Sequence, residues 1–302
     1  MKLAEQATIF FERIQTRKRH PVKPATLAAY RNAITKWILP AVGDQDLETF
    51  GNGAMKDFIQ TLSTKKMAPA SVNHIVTIVK LIVSSAVTPE GDPLYPRIWN
   101  NDFLDLPDIG PQKSPMLTQE QLKAALRSEH GVFYAFLAGT GLRIGEALAA
   151  RWGDDGVHTC LDPENAVVRV RTQLWRGKEG SPKTEAGTRE VDLDPRLNAL
   201  LSRSTTTVKG EPLFGTDGRF LWESSLRTYS LKPLGIHGFH AFRRYRITRL
   251  RGLGTPEDIV RYWVGHAGEN ITDRYSKLAE NIELRKQWAV RAGLGFSLPE
   301  EG

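Results

Sequence analysis

The stretch that decides how this chain is interpreted reads Ile236-His237-Gly238-Phe239-His240-Ala241-Phe242-Arg243-Arg244. His240 and Arg243 are three residues apart, so on a helix they lie on the same face. Further along, His266 follows a glycine that can adopt a tight bend, and Tyr275 comes shortly after it. Upstream, a second arginine, Arg143, stands where a loop enters a helix, in the segment Gly139-Thr140-Gly141-Leu142-Arg143-Ile144-Gly145-Glu146.

This combination of side chains is suited to a phosphodiester. The planar fork of arginine donates two hydrogen bonds to phosphate oxygens and stays charged. Histidine transfers protons near neutral pH, and a phenol can attack as a nucleophile. We therefore expect Arg143 and Arg243 to hold the phosphate, since the anionic transition state of phosphoryl transfer needs donors that are fixed in advance.

The same residues resemble the tyrosine recombinase family, the phage-integrase-like site-specific recombinases. The family pattern is an arginine in a G-x-G-x-R-x-x-E segment, a lysine on a β-hairpin, an H-x-x-R, a G-H pair and a tyrosine close behind. Every element is present here in that order. The resemblance covers the chain well from about Met116 to Tyr275 and the preceding helical region more loosely.

The resemblance assigns roles to the two histidines. The H-x-x-R spacing selects His240, rather than His237, as the group that accepts the phenolic proton or donates to a phosphate oxygen. His266 is then a second phosphate donor, whose role is hydrogen bonding rather than obligatory proton transfer.

The resemblance also implies the nucleophile and the general acid. Tyr275 is the expected nucleophile, because the family's tyrosine follows its Gly-His pair on the next helical segment; the alternatives are Tyr229, Tyr245 and Tyr262. Lys183 is the expected acid for the departing 5′ oxygen, with Lys178 as the alternative. Glu146 is expected to orient Arg143 rather than to act as a catalyst.

Composition limits the remaining function classes. The chain has 302 residues, 41 Lys and Arg against 34 Asp and Glu, and a formal charge of +7, which favours a polyanionic partner. Its single cysteine, Cys160, excludes an internal disulfide framework. No signal peptide or membrane span is expected, so a cytoplasmic protein acting on DNA in a bacterial cell or phage-infected host is the default. We expect no metal and no cofactor, since the cationic side chains take the place a metal would have.

The first hundred residues predict a small helical bundle. Apolar residues at helical spacing indicate helices over residues 2–16, from Pro24 until Pro40 stops the second helix, around Met55–Leu62, and from Pro69 onward. Basic residues in the connections are candidates for phosphate contacts, namely Arg19, Lys65 and Lys66.

The later part of the chain predicts a second, mainly helical domain. Residues 87–115 lose periodicity and suggest a linker, least structured at 107–115. Thr118 and Gln121 predict a capping box, and the apolar run 131–138 predicts a buried helix. Alternation at Val168 and Val170 predicts a strand, with a returning segment from Lys183 to Leu193. On the helix with Arg243, we expect Arg244 and Arg246 to contact DNA backbone.

Together these features predict a mainly α fold with a small antiparallel β-sheet in the catalytic domain. Residues 1–106 would be a SAM-like helical core-binding domain, 107–115 a linker, and 116–302 the catalytic domain with a C-terminal oligomerisation helix near residues 280–290. The resemblance implies a two-domain C-shaped clamp around duplex DNA. It further implies recombination through a 3′-phosphotyrosine intermediate and a Holliday junction.

The expected partners are double-stranded recombination sites and three further copies of the chain, as a homotetramer on DNA; an accessory directionality factor is a further candidate. Two alternatives share the fold or the chemistry. One is a type IB topoisomerase that relaxes DNA as a monomer, and the other is a DNA-binding regulator that does no chemistry. The helical N-terminal region argues against the first, and the complete set of catalytic side chains argues against the second.

Overall fold

A computed structural model describes residues 1–111, 115–182, 184–266 and 278–298 of the chain. The chain divides into two compact units, Met1–Lys113 and Ser114–Gly302. Each unit encloses its own core of buried apolar side chains. Among the described residues no helix is long and apolar enough to cross a membrane.

The first unit is helical, as its periodicity predicts. Its helices are α1 (Leu3–Gln15), α2 (Pro24–Ala33), α3 (Leu39–Val42), α4 (Asn52–Thr64), α5 (Pro69–Ser84) and α6 (Asn101–Leu104). The prediction that Pro40 stops the second helix is wrong. A π-helical turn at Ile34–Ile38 joins α2 to α3, so Pro40 falls in the first turn of a continuing helix, where its missing N–H is tolerated.

The segment 87–106 belongs to the first unit rather than to a linker. Leu104 is fully buried in the helical core, and Tyr95 and Trp99 pack against it. Arg97 donates hydrogen bonds from Nε to the carbonyl of Phe50 and from Nη2 to that of Leu47. The prolines and glycines that remove periodicity here therefore belong to an ordered irregular segment, held by side-chain contacts that sequence periodicity does not reveal.

The second unit is also mainly helical. Its helices are α7 (Gln119–Leu126), α8 (Gly131–Thr140), α9 (Ile144–Leu148), α10 (Pro195–Ser204), α11 (Glu223–Ser225), α12 (His240–Gly252), α13 (Glu257–Val264) and α14 (Ile282–Ala292). The predicted capping box at Thr118 and Gln121 is confirmed by reciprocal hydrogen bonds of 3.1 Å. The predicted buried helix is α8, in which every residue except Val132 is buried.

The sheet is mixed rather than antiparallel. Its strands, in the order β1 (Arg151–Trp152), β2 (Cys160–Asp162), β3 (Val167–Val170) and β6 (Arg189–Asp192), form one sheet in which β1 and β2 run parallel. The strand predicted at Val168 and Val170 is confirmed as β3, and its antiparallel partner β6 begins at Arg189. Between them, β4 (Gln173–Trp175) and β5 (Lys178–Gly180) form a separate hairpin, and β7 (Gly215–Thr216) pairs with β8 (Arg219–Phe220).

Helix α14, the predicted oligomerisation helix, docks on its own unit. Arg285 is fully buried and donates from Nε to Asp192 Oδ2 at 2.9 Å and from Nη2 to Glu190 Oε2 at 2.6 Å. It also donates to the carbonyls of Leu278 and Ala279, both at 2.8 Å. The exposed residues of this helix include two apolar ones, Ile282 and Val290, beside the polar Glu283, Gln287 and Arg291.

Candidate functional site

Arg143 and His266 lie at two loops that glycines make possible. Gly141 has φ of 70° and ends α8 in the left-handed conformation, from which the chain turns to Arg143, the N-cap residue of α9. Gly265 has φ of 64° and ends α13 in the same way, immediately before His266. A Cβ atom on Gly265 would come within 2.9 Å of the carbonyl oxygen of Ala186, so this turn has no room for a side chain.

Arg243 makes hydrogen bonds to the backbone at both of these loops. It lies on α12 and is almost fully buried, and its Nη1 donates to the carbonyl oxygen of Gly141 at 2.9 Å. Its Nη2 donates to the carbonyl oxygen of Val264. The guanidinium thus fixes the end of α8, which leads to Arg143, relative to the end of α13, which leads to His266.

Glu146 holds Arg143 in place. Its Oε2 accepts from the backbone N–H of Arg143 at 3.0 Å, and its Oε1 accepts from Arg143 Nη1 at 2.9 Å. The Glu146 side chain is 1% exposed, whereas that of Arg143 is 25% exposed. A buried carboxylate therefore holds an arginine whose side chain is partly accessible at the surface. Arg143 Nη2 also donates to the carbonyl of Gly265 at 3.2 Å. The role of Glu146 in orienting Arg143 stays a prediction, but the contact it needs is present.

The two histidines are exposed beside these arginines. His240 is the first residue of α12, one turn before Arg243, and His266 follows the turn at Gly265. Desolvation, followed by the positive charge of Arg243, lowers the pKa of both rings below the usual value. Both histidines are consequently neutral at pH 7, and each can accept a proton on one ring nitrogen while donating from the other.

Charge is unbalanced at this site. Burial, and then Arg143, lower the pKa of Arg243 to about 9, which leaves it protonated at neutral pH. Burial alone would raise the pKa of Glu146, but Arg189 and Arg143 hold it below its usual value. Three cationic guanidiniums thus face one carboxylate, so the site carries a positive excess that suits an anionic ligand.

The third of these guanidiniums belongs to Arg189, a residue that the sequence analysis missed. It lies at the start of β6 with its side chain 1% exposed, and its Nη2 donates to Glu146 Oε2 at 2.9 Å. A signal was present in the sequence. Arg189 and Val191 alternate on one face of the strand, and a charged residue on a core-facing position requires a buried partner.

Lys183 and Tyr275, the predicted acid and nucleophile, lie outside the described residues. The structure does bear on the alternatives to Tyr275. The hydroxyl of Tyr262 accepts from Arg285 Nη1 at 3.2 Å, and that of Tyr245 donates to the carbonyl of Gly295 at 2.8 Å. Burial raises the pKa of both phenols. Tyr229 is exposed, but it lies on the π-helical turn Leu226–Leu231, outside the arginine and histidine cluster.

The predicted DNA contacts have different outcomes. Arg246 is buried and donates to the carbonyl of Gly293 inside the unit, which weighs against its predicted contact with the DNA backbone. Arg244 uses Nε to bind the carbonyl of Pro115 at 3.0 Å. In the first unit, Arg19, Lys65 and Lys66 are exposed, with Lys65 Nζ 5.3 Å from the ring centroid of Trp37. For these exposed residues and Arg244, DNA contact stays a prediction.

A separate cleft of about 680 Å³ lies beyond the other end of α9. It is lined by residues of the β4–β5 hairpin, β8 and α11, including Trp175 and Trp222. None of the clustered arginines and histidines lines this cleft, so we do not assign the functional site to it.

In the part of the chain that the structure describes, no group of three or more His, Cys, Asp or Glu side chains is placed to hold a metal ion.

Comparisons with known proteins identify the fold. No family model and no curated protein matches the sequence. Among solved structures, the Tn1549 transposon integrase bound to a circular intermediate DNA is similar over 92% of this chain and 98% of that chain, with a TM-score of 0.67 and 18% identity. A lambda integrase dimer bound to a COC′ core site matches over 91% of this chain and 77% of that chain, with a TM-score of 0.62 and 16% identity. A lambda integrase tetramer bound to a Holliday junction gives the same TM-score at 17% identity, over 90% of this chain and 79% of that chain. The chain therefore has the fold of the tyrosine recombinases.

Proposed function

We propose that this chain is a tyrosine site-specific recombinase, which cuts and rejoins DNA through a 3′-phosphotyrosine intermediate. One observation carries the proposal: Arg143, Arg243 and His266, which are far apart in sequence, lie around the same two loops, and His240 lies where the charges of both arginines act on it, on a fold shared with DNA-bound integrases. A cationic cluster with one carboxylate and two neutral histidines supplies donors for a phosphate and an acceptor for a proton.

In the proposed cleavage step, Arg143 and Arg243 bind the nonbridging oxygens of the scissile phosphate, and His266 donates a further hydrogen bond. The phenol oxygen of Tyr275 attacks phosphorus and passes its proton to His240, while the bond from phosphorus to the 5′ oxygen breaks. Lys183 protonates that oxygen. Rejoining reverses these steps with the 5′ hydroxyl of the partner strand, so bond energy is kept in the phosphotyrosine and neither ATP nor a cofactor is consumed.

The first unit is proposed to supply further DNA contacts. Its exposed Arg19, Lys65 and Lys66 would bind backbone phosphates, and the two units together would form the clamp around the duplex that the family resemblance implies. Such contacts position a protein on DNA and make its affinity dependent on salt, without reading sequence.

Covalent trapping tests this function. Nicked duplexes are drawn from the DNA that flanks the gene and incubated with the wild-type protein; loss of the short fragment beyond the nick prevents rejoining. A protein–DNA band that survives denaturing electrophoresis is expected. Binding without such a band at any sequence would contradict the proposal and favour a DNA-binding regulator.

Arg243→Lys should lower the cleavage rate by about a hundredfold to a thousandfold, the usual loss for a preorganised donor at a developing anion. Lysine keeps the charge but has no fork with which to reach both loop carbonyls and the phosphate. The rate of covalent-complex formation at saturating protein measures this effect. Arg249→Lys, at an exposed position on the same helix, is the matched control. Equal rates for Arg243→Lys and wild type would remove Arg243 from the phosphate-binding groups.

Assembly into a tetramer on two DNA sites is proposed to use the outer face of α14, where Ile282 is 48% exposed and Val290 is 59% exposed. Deleting this helix would remove Arg285 and leave the buried Asp192 without its ion-pair partner, so point substitutions are the cleaner test. Ile282→Ser with Val290→Ser should leave binding to one site unchanged and reduce paired-site complexes at least tenfold on native gels.

The control for that pair is Val157→Ser with Val208→Ser, two exposed valines elsewhere on the same unit. It should assemble like the wild type. Normal paired-site complexes from the α14 variant would place the assembly contact on another surface.

A further inference from the structure

Arg189 uses its guanidinium to connect three separate segments of the catalytic unit. Nη2 binds Glu146 Oε2 at 2.9 Å and Nη1 approaches Glu146 Oε1 at 3.3 Å, a bidentate pairing with α9. Nε donates to the carbonyl of Trp263 at 2.6 Å, near the end of α13. Nη1 also donates to the carbonyl of Gly187 at 2.8 Å, in the turn that precedes β6. The side chain has no exposed fork with which to reach a ligand itself.

Two of the segments that Arg189 binds lead to a proposed functional group. Glu146 holds both the backbone and the side chain of Arg143. Trp263 lies two residues before Gly265, whose turn presents His266, and a Cβ atom at Gly265 would come within 2.9 Å of Arg189 Nη1. Arg189 therefore fills the space under that turn while it fixes the carboxylate under Arg143.

We propose that Arg189 is a positioning residue that fixes Arg143 and His266 relative to each other by bridging Glu146 and the end of α13. A fork is needed for this, because Arg189 makes four hydrogen bonds from three separate nitrogens, whereas an ammonium group has three N–H donors on a single nitrogen. This inference rests on the proposed function for its rate effect, but the arrangement it describes exists in the free protein and can be measured there.

The fork can be separated from the charge by two substitutions. Arg189→Lys keeps a positive charge and loses the fork, and Arg189→Gln loses both. Arg169→Lys is the matched control, since Arg169 lies on the same sheet and pairs with Glu190 and Asp162, but it has no contact with Glu146. Circular dichroism and thermal unfolding give the folded fraction of each variant, because removing one partner of a buried ion pair is destabilising.

Covalent trapping at saturating DNA gives the first measurement. Arg189→Lys should form the covalent complex about tenfold to a hundredfold more slowly than wild type per folded molecule, because small displacements of reacting groups are costly. Its DNA affinity should stay unchanged, and Arg169→Lys should cleave normally. A wild-type rate per folded Arg189→Lys molecule would overturn the inference.

A second measurement, which does not depend on cleavage, is the titration of the histidines by NMR in ¹³C-labelled free protein. After burial and the charges of Arg243 and Arg143, the charge of Arg189 also lowers the pKa of His266. Arg189→Gln should therefore raise the pKa of His266. An unchanged His266 titration would overturn the inference even if the wild type cleaves DNA, whereas a wild type that never cleaves would overturn only the proposed function.

Discussion

Tyr275→Phe should bind DNA with wild-type affinity and form no covalent complex. The substitution removes only the phenol oxygen, which is the proposed attacking atom, and keeps the ring. Because an attack by water instead would leave no link to the protein, the band that resists denaturation should disappear completely rather than weaken. Denaturing electrophoresis after incubation with a nicked duplex measures this result.

The matched control for that variant is Tyr262→Phe. Tyr262 is the alternative nearest to the Gly265 turn in sequence, and its hydroxyl is already engaged with Arg285. Tyr262→Phe should form the covalent complex in normal yield per folded molecule. A persistent band from Tyr275→Phe together with its loss in Tyr262→Phe would transfer the nucleophile to Tyr262.

Lys183→Ala should slow cleavage of an ordinary phosphodiester by about a hundredfold to ten-thousandfold, the range that a general acid contributes. The same variant should cleave a bridging 5′-phosphorothiolate almost as fast as wild type, because a thiolate leaves without needing a proton. Single-turnover rates on the two substrates, measured at saturating protein, give the comparison.

Lys178 provides the control for this assignment. It lies exposed at the first position of β5, in the hairpin that precedes Lys183. Lys178→Ala should show no difference between the two substrates. If the thiolate restores Lys178→Ala and not Lys183→Ala, the acid is Lys178; equal defects of Lys183→Ala on both substrates would make Lys183 a phosphate ligand.

Sequence periodicity predicted the helices well because most of them bury one continuous face. Helices α1, α4 and α5 have apolar residues at helical spacing, and these make up nearly all of their buried residues. The same method could not find β1, which has only two residues and pairs in parallel with β2, since no alternation is visible in so short a strand. The sheet was therefore predicted as purely antiparallel when it is mixed.

The site was partly predictable for a related reason. Motif spacing selected Arg143, Arg243, His240 and His266. The structure brings three of these around the same loops and places His240 where the charges of both arginines act on it. Spacing along the helix did not show that Arg246, three residues after Arg243, binds the carbonyl of Gly293 inside the unit. Which side of a helix faces solvent depends on contacts with segments that are distant in sequence. The role of Arg189 depends on such contacts too, because its partners Glu146 and Trp263 are far from it in the chain.

The two carbonyl groups that Arg243 binds have a further consequence. They stand at the C-terminal ends of α8 and α13, where unpaired carbonyls concentrate the negative end of each helix dipole. Arg243 thus caps two helices at once, and its hydrogen bonds go to backbone oxygens rather than to a carboxylate, while the charge of Glu146 acts on it without a direct hydrogen bond. A carboxylate bound directly to the guanidinium would offset its full charge, whereas the partial charges at two helix ends hold it in place and offset that charge less.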